Sequence, residues 1–143
     1  MTAQPVPLRR PAVAGSWYPG TAEALSAEVD TYLARAGKPL PRGSVIGLVA
    51  PHAGLMYSGP VAAWAYRSVQ SDPLDVVVLV GPSHRLAFDG VAMFPRGGWD
   101  TPLGPATIAE EIASAIGSGT AVVHESESAH AREHSLEMQL PFL

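Results

Sequence analysis

Hydrophobic residues follow two kinds of pattern along the chain. Two short and nearly unbroken apolar runs, VIGLVA at 45–50 and VVVLV at 76–80, are rich in Val, Ile and Leu. Runs of this length and composition predict strands buried on both faces of a parallel sheet. Elsewhere the apolar positions recur at helical spacing. Between Thr21 and Ala36, the residues Leu25, Val29, Leu33 and Ala36 share one face, with Thr21 as N-cap, Glu23 in the first turn, and Gly37 and Pro39 beyond the end. That order predicts an amphipathic covering helix. A second helix is predicted to start at Pro60, which suits a first helical position, and to bury Val61, Ala65, Ser68 and Val69. A third is predicted from Ala106 to Ile116, with Ile108, Ile112, Ala115 and Ile116 inward. Val91 to Phe94 and Ala121 to Val123 read as further short strands. PRGGWDTPLGP at 95–105 is too rich in Gly and Pro to be regular. Leu136, Leu140 and Leu143 suggest a closing helix that Pro141 must end or kink.

Short apolar runs separated by helices predict an α/β fold, a largely parallel central sheet flanked by helices. The stretch between the two runs has the length of one βαβ crossover. One domain is expected over residues 1–143, with residues 1–10, which include Pro5 and Pro7, as a flexible arm. Trp17 and Tyr18 either anchor that arm on the core or line a pocket. The chain closes on the apolar LPFL, which predicts the first part of a larger domain and an incomplete sheet. An open sheet edge favours association, so a homo-oligomer is a candidate state.

Each apolar run stops at a proline and then presents a histidine, His52 in PHAG and His84 in GPSH. In parallel α/β sheets the functional crevice lies outside the carboxyl ends of the strands. Neighbouring strands are about 4.8 Å apart, so paired runs would bring both imidazoles to one point, where they are ordinary ligands for iron, zinc or copper. Two ligands hold a metal poorly, and the closing segment offers Glu133, His134 and Glu137 in EHSLE. If helical, His134 and Glu137 share a face at ligand-pair spacing. The local alternative has Ser135 capping a helix while Glu and His serve its first turn. Tyr57 either donates a proton in the crevice or packs into the core with one hydrogen bond. The helix after His52 would point its N-terminus towards an anionic ligand. Arg85, Asp89 and Asp100 read as solvated loop residues, and His124 and His130 as exposed. Ser58 and Ser83 lack the GxSxG elbow of a nucleophile, and neither a phosphate loop nor HExxH occurs.

Composition narrows these options. With no cysteine, a metal site must draw on His, Asp, Glu or Tyr. A net charge of −4, with no basic cluster larger than Arg9 and Arg10, argues against nucleic acid. No window reaches the roughly 18 apolar residues of a membrane span, and the N-terminal stretch lacks a signal-peptide core, so a cytoplasmic protein is expected.

Five stretches carry a further signal: AGSWYPG at 14–20, APHAGLMYSGPVAA at 50–63, LVGPSH at 79–84, WDTPLG at 99–104 and EHSLEMQLPFL at 133–143. In this order they resemble the Memo family, whose bacterial members are called AmmeMemoRadiSam system protein B, over the N-terminal half of a typical member. The resemblance implies a fold similar to the class III extradiol dioxygenases, which hold a non-haem iron. It also implies metal-site roles for His52 and His84, and redox chemistry with iron, or alternatively copper or zinc. Eukaryotic relatives are associated with cell-motility signalling through phosphotyrosine partners. The family's remaining site residues, an Asp, a His and a Cys, belong to the second half and have no counterpart here, so the ligand set is expected to be incomplete. The expectation is thus a metal-dependent oxidoreductase with a dioxygenase-like site, His52 and His84 as ligands, and Tyr57 and His134 as catalytic residues lining the pocket. Its ligand would be a small molecule or a peptide. A non-catalytic peptide- or phosphotyrosine-binding module and an inactive truncated fragment are the alternatives.

Overall fold

A computed structural model describes residues 7–37 and 43–143 of the chain. Its core begins with helix α1, Ala22–Arg35, whose N-cap Thr21 accepts a hydrogen bond from the Ala24 N–H. Leu25 and Val29 on its inner face are buried and pack with Tyr18, Leu55 and Met138. The helical spacing of the apolar residues foretells this element to within a residue at each end.

Helix α2, Leu55–Arg67, lies across α1. It starts five residues earlier than Pro60 predicts, so Pro60 stands inside the helix. That moves the helix start to within three residues of His52. The buried stripe is Leu55, Ser58, Gly59, Ala62, Ala63 and Tyr66, whereas Val61 is 61% exposed. The predicted stripe has the wrong phase, because it counts from Pro60 as the first turn. Gly59 faces the Tyr32 ring of α1, where an added Cβ would lie 2.6 Å from the ring edge. Only a residue without a side chain lets the helices approach so closely.

Two small sheets complete the regular structure. Strand β1, Leu8–Arg9, pairs in parallel with β3, Gly98–Trp99, and β3 pairs antiparallel with β4, Ala106–Thr107. Strand β2, Val91–Met93, pairs in parallel with β5, Val123–Glu125. Helix α3, Glu110–Gly119, stands between β4 and β5, and after β5 come the single turn α4, Glu127–His130, and a closing 3₁₀ helix, Glu137–Phe142. Part of the segment expected to be irregular is thus a strand, and the third helix starts four residues later than predicted. Gly97 makes the β1–β3 pairing feasible, since its φ is +77° and a Cβ there would collide with the Pro7 carbonyl.

The flexible arm expected at 1–10 does not hold over its last residues. Leu8–Arg9 are tied into the sheet and Arg9 is 7% exposed, while residues 1–6 lie outside the described residues. The Arg9 guanidinium sits 4.1 Å above the Trp99 ring and forms a 2.5 Å ion pair with Glu137.

The fold is mixed α/β, but its largest sheet is not the one predicted. Among the described residues, neither 45–50 nor 76–80 enters a strand ladder. Ile46 and Val49 are fully exposed, and Val78 and Val80 are 69% and 84% exposed. A strand exists only through its neighbours, and here these runs find none. Beside 76–80 opens a cleft of about 1110 Å³ lined by Val29, Leu33, Ile112, Ile116 and Leu140. No helix of the described chain is long and apolar enough to cross a membrane.

Candidate metal centre

Three loops converge at one point. The 51–54 loop leads into α2, with the Leu55 N–H donating to the Trp17 carbonyl. The 81–84 loop follows the second apolar run, and the 133–136 turn precedes the 3₁₀ helix. Two side chains of the closing segment hold the other loops in place. Ser135 Oγ donates to the Pro82 carbonyl at 2.8 Å, and Gln139 donates to the Pro51 carbonyl at 3.3 Å. Gln139 in turn accepts from the Tyr66 hydroxyl, whose pKa burial pushes up to about 12.

This arrangement gathers His52, His84 and His134, with one ligand nitrogen of each within 4.8 Å of the others. The His84 and His134 rings stack at 4.5 Å between centroids, and His52 lies 5.2 Å and 5.9 Å from them. The juxtaposition expected for His52 and His84 is present although their strands form no ladder, because the closing segment holds both loops.

Glu133 fastens two of the three. Its Oε2 accepts from the His84 N–H, and its Oε1 meets the His84 Nδ1 at 2.9 Å and also accepts from the His134 and Ser135 N–H groups. Burial alone would raise the Glu133 pKa, but the His84 ring and the backbone donors of His84, Ser135 and His134 outweigh it and bring the pKa down to about 2. The carboxylate is therefore ionised at neutral pH.

His134 is 7% exposed, and its Nδ1 makes no hydrogen bond among the described residues, although the Glu133 Oε1 lies 3.4 Å away. Buried polar atoms are nearly always satisfied, so such an atom beside two other imidazoles suits a cation. Burial pushes the His134 pKa down, as do His84, His52 and Arg85, with Glu133 opposing them. A neutral ring is the form that binds a metal. Trp17 walls the site, its ring 4.3 Å from that of His134. Of the two readings for the aromatic pair, Trp17 thus lines the site, while Tyr18 is buried in the core.

The three imidazoles fit a metal ion. Ligands at about 2.1 Å around a tetrahedral ion lie about 3.4 Å apart, so a spread of up to 4.8 Å calls for closure of the rings on the ion. His52, with no hydrogen bond among the described residues, can supply it by rotation.

Other candidates stand apart. Tyr57 lies on the first turn of α2, 75% exposed, and its hydroxyl bonds to none of the described residues. Glu137 does not pair with His134 as a ligand. It is committed to Arg9, the Ala12 and Val13 N–H groups and the Tyr18 hydroxyl. EHSLE is a turn leading into a 3₁₀ helix, so the i and i+3 face of an α-helix never forms. Ser58 and Ser83 donate to the Ala53 and Leu86 carbonyls, which leaves neither hydroxyl poised as a nucleophile. Arg85, Asp89 and His124 are exposed as expected. His130 is not: it is 7% exposed, with Nε2 on the Ala92 carbonyl and its ring against Trp99.

The comparisons with known proteins agree on one family. The family model described as Memo-like protein matches residues 9–143. A MEMO1 family protein of Ignicoccus hospitalis is 42% identical over 145 residues, covering 95% of this chain and 51% of the relative. One from Methanothermobacter thermautotrophicus is 41% identical over 143 residues, covering 95% and 52%. One from Thermoplasma volcanium is 36% identical over 136 residues, covering 95% and 50%. The chain spans about half the length of these curated relatives.

Proposed function

The chain belongs to the Memo-like protein family, and from that premise we propose that it is a metal-binding protein with redox chemistry, built on His52, His84 and His134. The observation that carries the proposal is the meeting of three imidazole nitrogens within 4.8 Å, one each from His52, His84 and the buried His134. Iron is the first choice of metal, with copper or zinc as alternatives, since all three accept imidazole ligands. An iron or copper ion held there would supply one-electron or O₂-related chemistry, with the dioxygenase-like site of the class III extradiol enzymes as its analogy. In this proposal His52 and His84 are the ligands the sequence points to, and His134, expected to line the pocket, is the third. Tyr57, exposed on the first turn of α2 three residues after Gly54, is the candidate proton donor to a bound small molecule.

Metal uptake tests this directly. Purified protein is titrated with iron(II), copper(II) and zinc(II), and compared with His52→Ala, His84→Ala and His134→Ala. Each substitution is expected to abolish tight binding of the preferred ion while leaving the circular dichroism spectrum unchanged. Uptake that none of the three affects would end the metal reading.

One feature supports a second reading, a peptide-binding module. Met56, Tyr57, Val61 and Trp64 leave one side of α2 apolar and between 53% and 75% exposed. Tyrosine-phosphorylated peptide binding that persists in chelator but is lost in Tyr57→Ala or Arg85→Ala would favour it.

A further inference from the structure

We infer that Glu133 is a positioning residue that sets which nitrogen of His84 faces the site, an assignment that rests on the metal-binding reading above. A carboxylate only accepts hydrogen bonds. The 2.9 Å contact between Glu133 Oε1 and His84 Nδ1 therefore requires the proton on Nδ1, and in the neutral ring Nε2 is left with the one lone pair. An unassisted neutral imidazole is not confined to this tautomer; the partner of the other nitrogen decides it.

The main chain is fixed along with the ring. Glu133 Oε2 accepts from the His84 N–H, so the same carboxylate fixes the start and the end of that side chain. Its Oε1 also accepts from the His134 and Ser135 N–H groups at 2.8 and 2.9 Å. A single buried group thus sets the ring orientation of His84 and the backbone of His134, two of the three imidazoles. Carboxylates hydrogen-bonded behind metal-bound histidines raise ligand basicity and lock orientation, and losing one typically costs about 10–100-fold in metal affinity.

The experiment has two arms. In the first, long-range ¹H–¹⁵N correlation of the metal-free protein reads the tautomer of His84, with His84→Gln identifying its signals. The expected result is Nδ1 protonated and Nε2 bare, and an Nε2-protonated ring would overturn the inference without any metal being involved. In the second arm, zinc(II) affinity is measured calorimetrically for wild type, Glu133→Gln and His84→Ala. Glu133→Gln is expected to weaken binding about 10–100-fold, because its amide nitrogen must then face at least one of the four donors that the carboxylate accepts from. Unchanged affinity in Glu133→Gln, beside its loss in His84→Ala, would also overturn it. If His84→Ala itself binds zinc normally, the metal reading fails and the tautomer measurement alone decides the role of Glu133. Should Glu133→Gln not fold, the wild-type tautomer still decides between the two outcomes.

Discussion

Arg9 and Glu137 are the most consequential charged pair outside the histidine site. Both are buried, they meet at 2.5 Å, and Glu137 also satisfies two backbone N–H groups and the Tyr18 hydroxyl. Removing one partner leaves an uncompensated buried charge, which costs about 3–5 kcal/mol. Arg9→Ala and Glu137→Ala should each lose that much in urea unfolding, while the double variant Arg9→Met, Glu137→Met should lose clearly less than the sum. A second residue governs the pH response. Burial, aided by the Arg9 charge, pushes the His130 pKa below its ordinary value, against the Ala92 hydrogen bond and the Glu133 charge. The unfolded chain takes up this proton near pH 6.5, before the folded chain does. The stabilisation from a neutral His130 is therefore complete above about pH 6.5 and is lost as pH falls through the lower folded value. His130→Gln should flatten the decline in stability between about pH 7 and pH 5 measured by denaturant unfolding.

At the scale of elements, two neighbouring positions in α2 should respond in opposite directions. Gly59→Ala would set a methyl against the Tyr32 ring, and overpacking of this kind costs about 1–3 kcal/mol. That outweighs the helix-propensity gain of about 1 kcal/mol. Pro60→Ala restores a backbone donor inside the same helix, at an exposed position, and should stabilise by up to about 3 kcal/mol. Thermal melts of the two variants should move to opposite sides of wild type. These residues also mark what local sequence can and cannot reveal. Helix α1 is legible because its cap, its apolar face and its stop all agree. In α2 the proline looks locally like a start signal, whereas tertiary packing against α1 carries the helix through it. His52 and His84 are legible from their repeated setting after apolar runs. Glu133 is visible only as a neighbour in EHSLE, since nothing local announces a hydrogen bond to a loop 49 positions away.

For the whole molecule, the runs at 45–50 and 76–80 carry the composition of buried strands and yet are largely exposed, the second of them along an apolar cleft. Unladdered amides exchange quickly, and exposed apolar edges promote pairing between copies. Hydrogen exchange should therefore be fast at 45–50 and 76–80 and slow in α1, and size-exclusion elution should shift to larger species as concentration rises. Protected amides in both runs in dilute protein would contradict the exposed arrangement. A parallel sheet cannot be read from two runs alone, because their ladder partners are not specified within them. The clasp between Arg9 and Glu137 has one more consequence, in time. Its two ends lie 128 positions apart, and His134 comes only three residues before Glu137. At about 5–20 residues per second of synthesis, the N-terminal strand waits on the order of ten seconds for its partner to emerge. An ion that requires all three imidazoles could be captured only after translation has passed residue 134, in the same late event that secures the beginning of the chain.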